Sequence, residues 1–292
     1  MNAPRTARRA LVLGGGGSAG NAWLIGLVAG LADAGIDVTR PDLTIGTSAG
    51  ATAAAQLAGS SPQQLLADVL ATPVGAARPG RAPARGTSDH LDRTARIIAS
   101  ASDAADMRRR LGAAAVALDA ASDGAWSGRW RERVAARFAV RDWPEHDLVL
   151  TAVDARTGDA LALDRDSGID LVDAVAASTS NGPPYRIGDA LYLDGGYRRN
   201  ENADLAAGAD RVLVLSPFGG RTRHPLAWRM QLAAQVEELE AQGTAVEVVG
   251  PDAAALDAFG DDMMNLAARA PAARAGHAQG VRVAGRVAEL WA

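Results

Sequence analysis

Leu43-Thr44-Ile45-Gly46-Thr47-Ser48-Ala49-Gly50 decides how this chain folds. A short apolar run ends in G-x-S-x-G and passes into an alanine-rich segment that reaches Leu57. The run reads as a strand and the segment as a helix. Gly46 and Gly50 flank the serine because a strand-to-helix corner this tight has no room for larger side chains, and the serine is pushed outward. The helix start behind Ser48 aims unpaired N–H groups and a positive dipole end at the same spot. Negative charge developing beside the hydroxyl is favoured there.

Working upstream, Ala10-Leu11-Val12-Leu13 reads as a buried strand. Gly14 to Gly20 follows as a glycine loop, then a helix from about Asn21 to Ala34 that Gly35 ends. Strand, loop, helix, strand is a βαβ unit, so the sheet is expected to be mainly parallel. Sites in open α/β sheets form at the carboxyl ends of strands, which places the glycine loop and Ser48 on one edge.

The loop Gly15-Gly16-Gly17-Ser18-Ala19-Gly20 fits G-x-G-x-x-G. Three readings are open. Dinucleotide binding wants an acidic residue at the end of the second strand, but that strand ends in Gly46-Thr47-Ser48, and Asp37 and Asp42 come before it. An oxyanion hole wants several backbone N–H groups turned into one concavity, within about 3 Å of the tetrahedral oxygen. A plain βα turn wants neither, and four successive glycines lose more backbone entropy than it requires.

Downstream, Pro62 to Leu70 reads as a helix and Pro73 to Thr87 as a loop of Pro, Gly, Ala and Arg. Ser88 to about Ala121 reads as one helix capped at Ser88 or Asp89. Asp147 to Val153 and Ala160 to Leu163 read as a hairpin across Arg156-Thr157-Gly158-Asp159. Ile169 to Ala177 reads as a helix, and Ser178 to Tyr185 as a loop because it holds Pro183-Pro184. Ala190 to Leu193 is a strand that delivers Asp194-Gly195-Gly196. Val212 to Leu215 and Val246 to Val249 are further strands, Pro225 to Gln242 is an amphipathic helix, and the chain beyond Asp252 is helical. Residues 1–292 are expected to form one α/β unit with a helical insertion at about 73–140.

Composition narrows the chemistry. A net charge of −4 at pH 7 gives no reason to expect nucleic acid as a partner. The absence of Cys excludes disulfides, Cys-ligated metals and thiol nucleophiles. All thirty basic residues are Arg, so a Ser-Lys dyad, a Schiff base and a P-loop lysine are excluded. The longest apolar run, about Ala22 to Ala32, is too short to span a bilayer. The expectation is a soluble cytoplasmic protein, with peripheral membrane contact left open. Arginines from Arg78 to Arg110, with Trp126 and Trp130 interleaved among Arg129, Arg131 and Arg133, read as a solvated surface or as an interfacial surface suited to anionic lipid.

A serine hydroxyl needs a base. None of His90, His146, His224 and His277 stands in a short polar loop flanked by small residues. Asp194 ends an apolar strand, and Gly195-Gly196 let another group approach it closely. A carboxylate beside a serine can take its proton if burial raises the carboxylate's pKa. Asp-Gly-Gly is equally the signature of an ordinary turn.

The order of the motifs is more specific than any one of them. A glycine loop after the first strand, G-x-S-x-G after the second and D-G-G far downstream resemble the patatin-like phospholipase family. The resemblance covers most of residues 10–216, including the small residues Ala176-Ala177-Ser178, the stretch to Pro184 and Asn200 after the D-G-G. It implies a three-layer α/β/α sandwich and hydrolysis of acyl esters of phospholipids and neutral lipids. It implies Ser48 as nucleophile, Asp194 as sole base, Gly15, Gly16 and Gly17 as oxyanion donors, and no metal or cofactor. Gly20, Gly46, Gly50, Gly195 and Gly196 complete the motifs. Ala19 stands where the family commonly carries Arg or Lys, which turns the expectation toward a neutral ester substrate. The alternatives are a catalytically weak or inactive lipid- or partner-binding member of the same fold and, on the loop alone, a dinucleotide-binding oxidoreductase.

Overall fold

The computed structural model describes residues 7–72 and 85–291, with only the backbone described for 85–89. Eight strands form one sheet in the order β5-β6-β3-β2-β1-β7-β8, with β4 paired to β3. They are β1 (Arg9–Leu13), β2 (Leu43–Gly46), β3 (Asp147–Asp154), β4 (Ala160–Leu163), β5 (Tyr185–Ile187), β6 (Ala190–Asp194), β7 (Arg211–Leu215) and β8 (Ala245–Val249). The run from β3 through β2, β1 and β7 to β8 is parallel, while β4, β6 and β5 are antiparallel to their neighbours. The expected mainly parallel sheet and the hairpin across Arg156–Asp159 are both observed.

Alternation along the strands builds the layers. Leu11, Leu13, Leu213 and Leu215 face one core, shared with α1 (Gly17–Asp33), α2 (Ala49–Gly59), α7 (Leu171–Ser178) and α10 (Arg269–Trp291). Ala10, Val12, Val212 and Val214 face the other, with the turn around Ala203–Ala206 and α8 (Leu232–Glu240). Beyond β3, Val153, Leu191 and Leu193 pack against α4 (Arg85–Ser100) and α5 (Ala104–Ala120). The sheet therefore lies between two helical layers, the α/β/α arrangement expected.

Several boundaries differ from the expectation. The glycine run does not stay a loop: Gly17, Ser18, Ala19 and Gly20 form the first turn of α1, closed by Gly20 N–H donating to Gly16 O at 2.9 Å. Small side chains let the helix start there instead of at Asn21. The helix expected over 88–121 is two, because Asp103 caps α5 by accepting from Asp106 N–H at 2.7 Å. The loop expected over Pro73 to Thr87 lies outside the described residues up to 84, and 85–87 are already helical. Tyr185-Arg186-Ile187 is a strand, not loop: the prolines end at Pro184, and Gly188 at φ +57 turns the chain into β6. Pro225 to Gln242 is broken by Arg229 at φ +52, so α8 starts at Leu232. The carboxyl-terminal region divides into α9 (Ala253–Phe259) and α10. A helix, α6 (Trp126–Ala135), fills the stretch left unassigned between α5 and β3, and α3 (Pro62–Ala71) matches its expectation.

Candidate active site

Register brings the site together before any side chain is considered. β2 ends at Gly46, opposite Leu150 of β3. β6 runs the other way along β3 and ends with Asp194 opposite Ala152. Ser48 lies two residues past Gly46 and Ala152 two past Leu150, so serine and aspartate arrive at the same height across β3.

Ser48 itself has φ +53 and ψ −111, a left-handed conformation that costs a non-glycine residue about 1–3 kcal/mol. Its neighbours enforce it. Ser48 N–H donates to Ser178 Oγ at 3.0 Å, Thr47 N–H to Leu13 O at 3.0 Å, and Gly50 N–H to Thr47 O at 2.8 Å. A Cβ on Gly50 would lie 1.8 Å from Leu13 O, so only glycine lets α2 start against the end of β1. Gly46 is similarly pressed, 2.7 Å from Ala51 Cα by its would-be Cβ.

Asp194 is buried, 7% exposed. Its carboxylate accepts from Gly196 N–H at 2.8 Å. Burial pushes its pKa up to about 6, against the downward pull of Gly196 N–H and of the Ser48 hydroxyl. A Cβ on Gly195 would stand 2.1 Å from Thr151 Oγ1, so the D-G-G turn lies flat on β3. Among the described residues no histidine is bonded to Ser48 or Asp194. His90 Nε2 lies 3.2 Å from the hydroxyl of Tyr197, which donates to Asn181 Oδ1 at 2.8 Å. His224 stacks on Trp228, with its pKa held down to about 4 by burial and then by Arg223. His277 pairs with Asp33 at 2.8 Å, and His146 is held below its usual range by burial and then by Arg165.

The glycine loop divides in two. Gly14 N–H donates to Leu215 O and Gly15 N–H to Asn200 O, each at 3.0 Å. The N–H of Gly15, expected as an oxyanion donor, is thus paired with Asn200 O. The N–H groups of Gly16 and Gly17 meet no acceptor among the described residues. Pro217 packs beneath them, 2.4 Å from a would-be Cβ on Gly16 and 2.9 Å from one on Gly20.

Two buried polar clusters support these corners, and the sequence reading missed both. Asn202, buried and in the left-handed region at φ +55, donates to Arg199 O at 2.6 Å and Thr47 Oγ1 at 2.9 Å. It also lies within reach of Thr151 Oγ1 at 3.2 Å and Gly195 O at 3.3 Å. Thr47 and Thr151 share a bond of 2.9 Å. One carboxamide thus ties the serine strand, the central strand and the D-G-G turn. Beneath the loop, buried Glu201 accepts from Asn200 Nδ2 and Ser216 Oγ, both at 2.8 Å, and its pKa is raised by burial. An asparagine shortly after a D-G-G signals little without its neighbours, and threonines inside strands read as ordinary β formers.

Compared with known protein families, residues 11–207 match the patatin-like phospholipase family. No curated protein matches the chain. Among solved structures, the crystal structure of VipD from Legionella pneumophila aligns over 96% of this chain and 67% of that one, at 13% identity and a TM-score of 0.46. With the family match spanning about two thirds of the chain, residues 11–207, the chain belongs to the patatin-like phospholipase family.

Proposed function

We propose that the chain is a serine acyl hydrolase that cleaves fatty acyl esters of lipids through a Ser48–Asp194 dyad. The arrival of Ser48 and the buried Asp194 carboxylate at the same height across β3 carries this reading. Ser48 Oγ attacks the ester carbonyl while Asp194 takes its proton, a transfer that a carboxylate with a pKa of about 6 can accept near neutral pH. The N–H groups of Gly16 and Gly17 hold the tetrahedral oxygen. Collapse expels the alcohol, which takes the proton from Asp194 and leaves an acyl-serine. Water then attacks the acyl-serine, Asp194 again takes the proton, and the fatty acid leaves as Ser48 recovers its own.

The strained backbone of Ser48 supports the reading, because strain of this kind persists where surrounding structure over-determines it and clusters at reactive positions. No helix among the described residues is long and apolar enough to cross a membrane, so a lipid substrate would be met at its surface or as a monomer. The reading takes residues 1–292 as one hydrolase unit with 73–140 inserted, and it needs neither metal nor cofactor.

A fluorophosphonate should label the wild-type protein at Ser48, and hydrolysis of p-nitrophenyl butyrate should vanish in Ser48→Ala. A wild-type protein that is neither labelled nor distinguishable from Ser48→Ala on that ester, yet still binds lipid, would make it a non-catalytic binding member of the fold.

A further inference from the structure

Successive glycines leave a backbone with little preference of its own, so the N–H groups of Gly16 and Gly17 keep one direction only if neighbours hold them. At the helix start, Ala19 N–H donates to Met263 O and Gly20 N–H to Gly16 O, each at 2.9 Å. The other supports come from two residues after the D-G-G turn. Asn200 O accepts from Gly15 N–H at 3.0 Å, and Asn200 Oδ1 stands 2.7 Å from a would-be Cβ on Gly15. Pro217 presses on Gly16 and Gly20.

Glu201 joins these two supports. It is 1% exposed. Its Oε1 accepts from Asn200 Nδ2 and from Ser216 Oγ, both at 2.8 Å, and Ser216 is the residue before Pro217. Glu201 Cγ lies 3.3 Å from a would-be Cβ on Gly14, so the side chain rests against the start of the loop. Ser216 is tied in turn, its N–H donating to Val249 O at 3.0 Å and its Oγ accepting from Gly220 N–H at 3.1 Å. On the backbone side, Glu201 O accepts from Thr47 Oγ1, next to Ser48, at 3.4 Å. One oxygen atom therefore sets the spacing between Asn200, which holds Gly15, and Ser216, which carries Pro217 against Gly16.

Burying a carboxyl costs stability that an apolar side chain of the same volume would not, so packing alone does not account for Glu201. Burial raises its pKa, against the pull of Asn200 and then Ser216. A carboxyl that resists ionisation sets less negative charge beneath a developing oxyanion.

We propose that Glu201 is a positioning residue for the oxyanion turn: through Asn200 and Ser216 it holds the N–H groups of Gly16 and Gly17 where they receive the tetrahedral oxygen. Glu201 itself touches no substrate. The proposal rests on the hydrolase reading for the reaction it serves, and adds to it the group that orients the donors.

The test compares wild type, Glu201→Ala, Glu201→Gln and Ser216→Ala on p-nitrophenyl butyrate, with rates corrected for the folded fraction read from thermal melts. Glu201→Ala should lose on the order of 10²-fold in kcat with KM little changed, the scale of a small misplacement of reacting groups. Glu201→Gln keeps an oxygen that accepts both bonds and should recover most of that loss. Ser216→Ala cuts one arm and should fall between the two, and it carries the test if Glu201→Ala does not fold. A second readout uses hexyl trifluoromethyl ketone. Ser48 Oγ adds to its carbonyl carbon, the C=O π pair moves to oxygen and the serine proton to Asp194, and fluorine NMR follows ionisation of the resulting hemiketal. Misplaced donors stabilise that oxyanion less, so the hemiketal in Glu201→Ala and Ser216→Ala should ionise at higher pH than in wild type, and in Glu201→Gln near the wild-type pH. An unchanged kcat and hemiketal titration in folded Glu201→Ala or Ser216→Ala would overturn the positioning role, and so would equal losses in Glu201→Ala and Glu201→Gln. A wild type that neither hydrolyses the ester nor forms the hemiketal would instead break the hydrolase reading, and the role of Glu201 with it.

Discussion

The corner that carries Ser48 and the corner that carries Asp194 hold their residues by different physics. Ser48 is fixed by backbone. A parallel strand ends, the chain takes a left-handed φ, and Gly50 lets α2 sit against Leu13. Asp194 is fixed by side chains. An antiparallel strand delivers it, and Asn202, Thr47 and Thr151 pin the turn that follows. The first corner stores conformational strain and the second stores desolvation. Both are costs to the fold that chemistry can use, and they separate under substitution.

The largest effect is expected at the strained corner. Ser48→Gly removes the proposed nucleophile and also suits φ +53, where glycine is unstrained. Turnover of a short acyl ester should fall to background, a loss on the order of 10⁶-fold in kcat. Stability should rise by about 1 kcal/mol, read as a higher denaturant midpoint. A stability loss in Ser48→Gly would show that the corner is not strained.

Asp194→Asn probes the desolvated corner. Turnover should fall on the order of 10⁴-fold, and the protein should again become more stable, for a different reason. The folded pKa of about 6 lies above the model-compound value of 3.8. Between those values the folded state binds the proton more tightly than the unfolded state, so stability falls as pH rises across that window and stays lowered above it. At neutral pH the charged carboxylate costs roughly 3 kcal/mol at 1.36 kcal/mol per pH unit. The amide of the Asp194→Asn variant carries no charge. That variant's melting temperature should exceed the wild-type value by several degrees at pH 7.5 and by little at pH 4. An unchanged difference across that range would mean Asp194 is not desolvated.

The same contrast explains what could be read from residues alone. The serine corner was legible because G-x-S-x-G is a local pattern, with Gly46 required by sterics against nearby Ala51, even though Gly50 is required by Leu13 of the neighbouring strand. The sheet was legible through its apolar runs and βαβ pattern, while the strand order β2-β1-β7 was not. The base corner was legible only as an ambiguous Asp-Gly-Gly, since its meaning depends on Thr47 and Thr151 from strands far away in the chain. Asn202 carried no local mark, because a left-handed asparagine looks like any turn residue. The commitment of Gly15 to Asn200 depends likewise on a contact across the sheet. What the residues alone concealed is therefore long-range polar pairing, which has no period.

Asn202→Gly should produce an intermediate effect. Glycine tolerates φ +55 but removes the carboxamide, which leaves Thr47 Oγ1 and the carbonyls of Arg199 and Gly195 short of a donor. A loss of about 2–4 kcal/mol in stability is expected from buried polar groups left unpaired. A drop of about tenfold in kcat with little change in KM should accompany it, because Asn202 positions the turn after Asp194 without touching substrate. Full activity in a destabilised Asn202→Gly would reduce the network to a structural role.

The smallest and most discriminating effect is on the pH profile. As the proposed base, Asp194 must be ionised to accept a proton, so kcat/KM should rise with pH and level off above about 6. That midpoint overlaps the range of an ordinary histidine, so its position alone does not name the base. The response of that midpoint to changes around Asp194 would. The Ser48 hydroxyl and Gly196 N–H both hold its pKa down against burial. Ser48→Gly removes one of these, so the Asp194 carboxyl, followed by carbon NMR in that variant, should titrate above about 6. His90 lies beyond Tyr197 and is bonded to neither member of the dyad. In His90→Gln the acidic limb should therefore stay where it is. A limb that disappears with His90 would move the base from the β6 corner to α4, and the division between a backbone-held nucleophile and a network-held base would no longer describe the site.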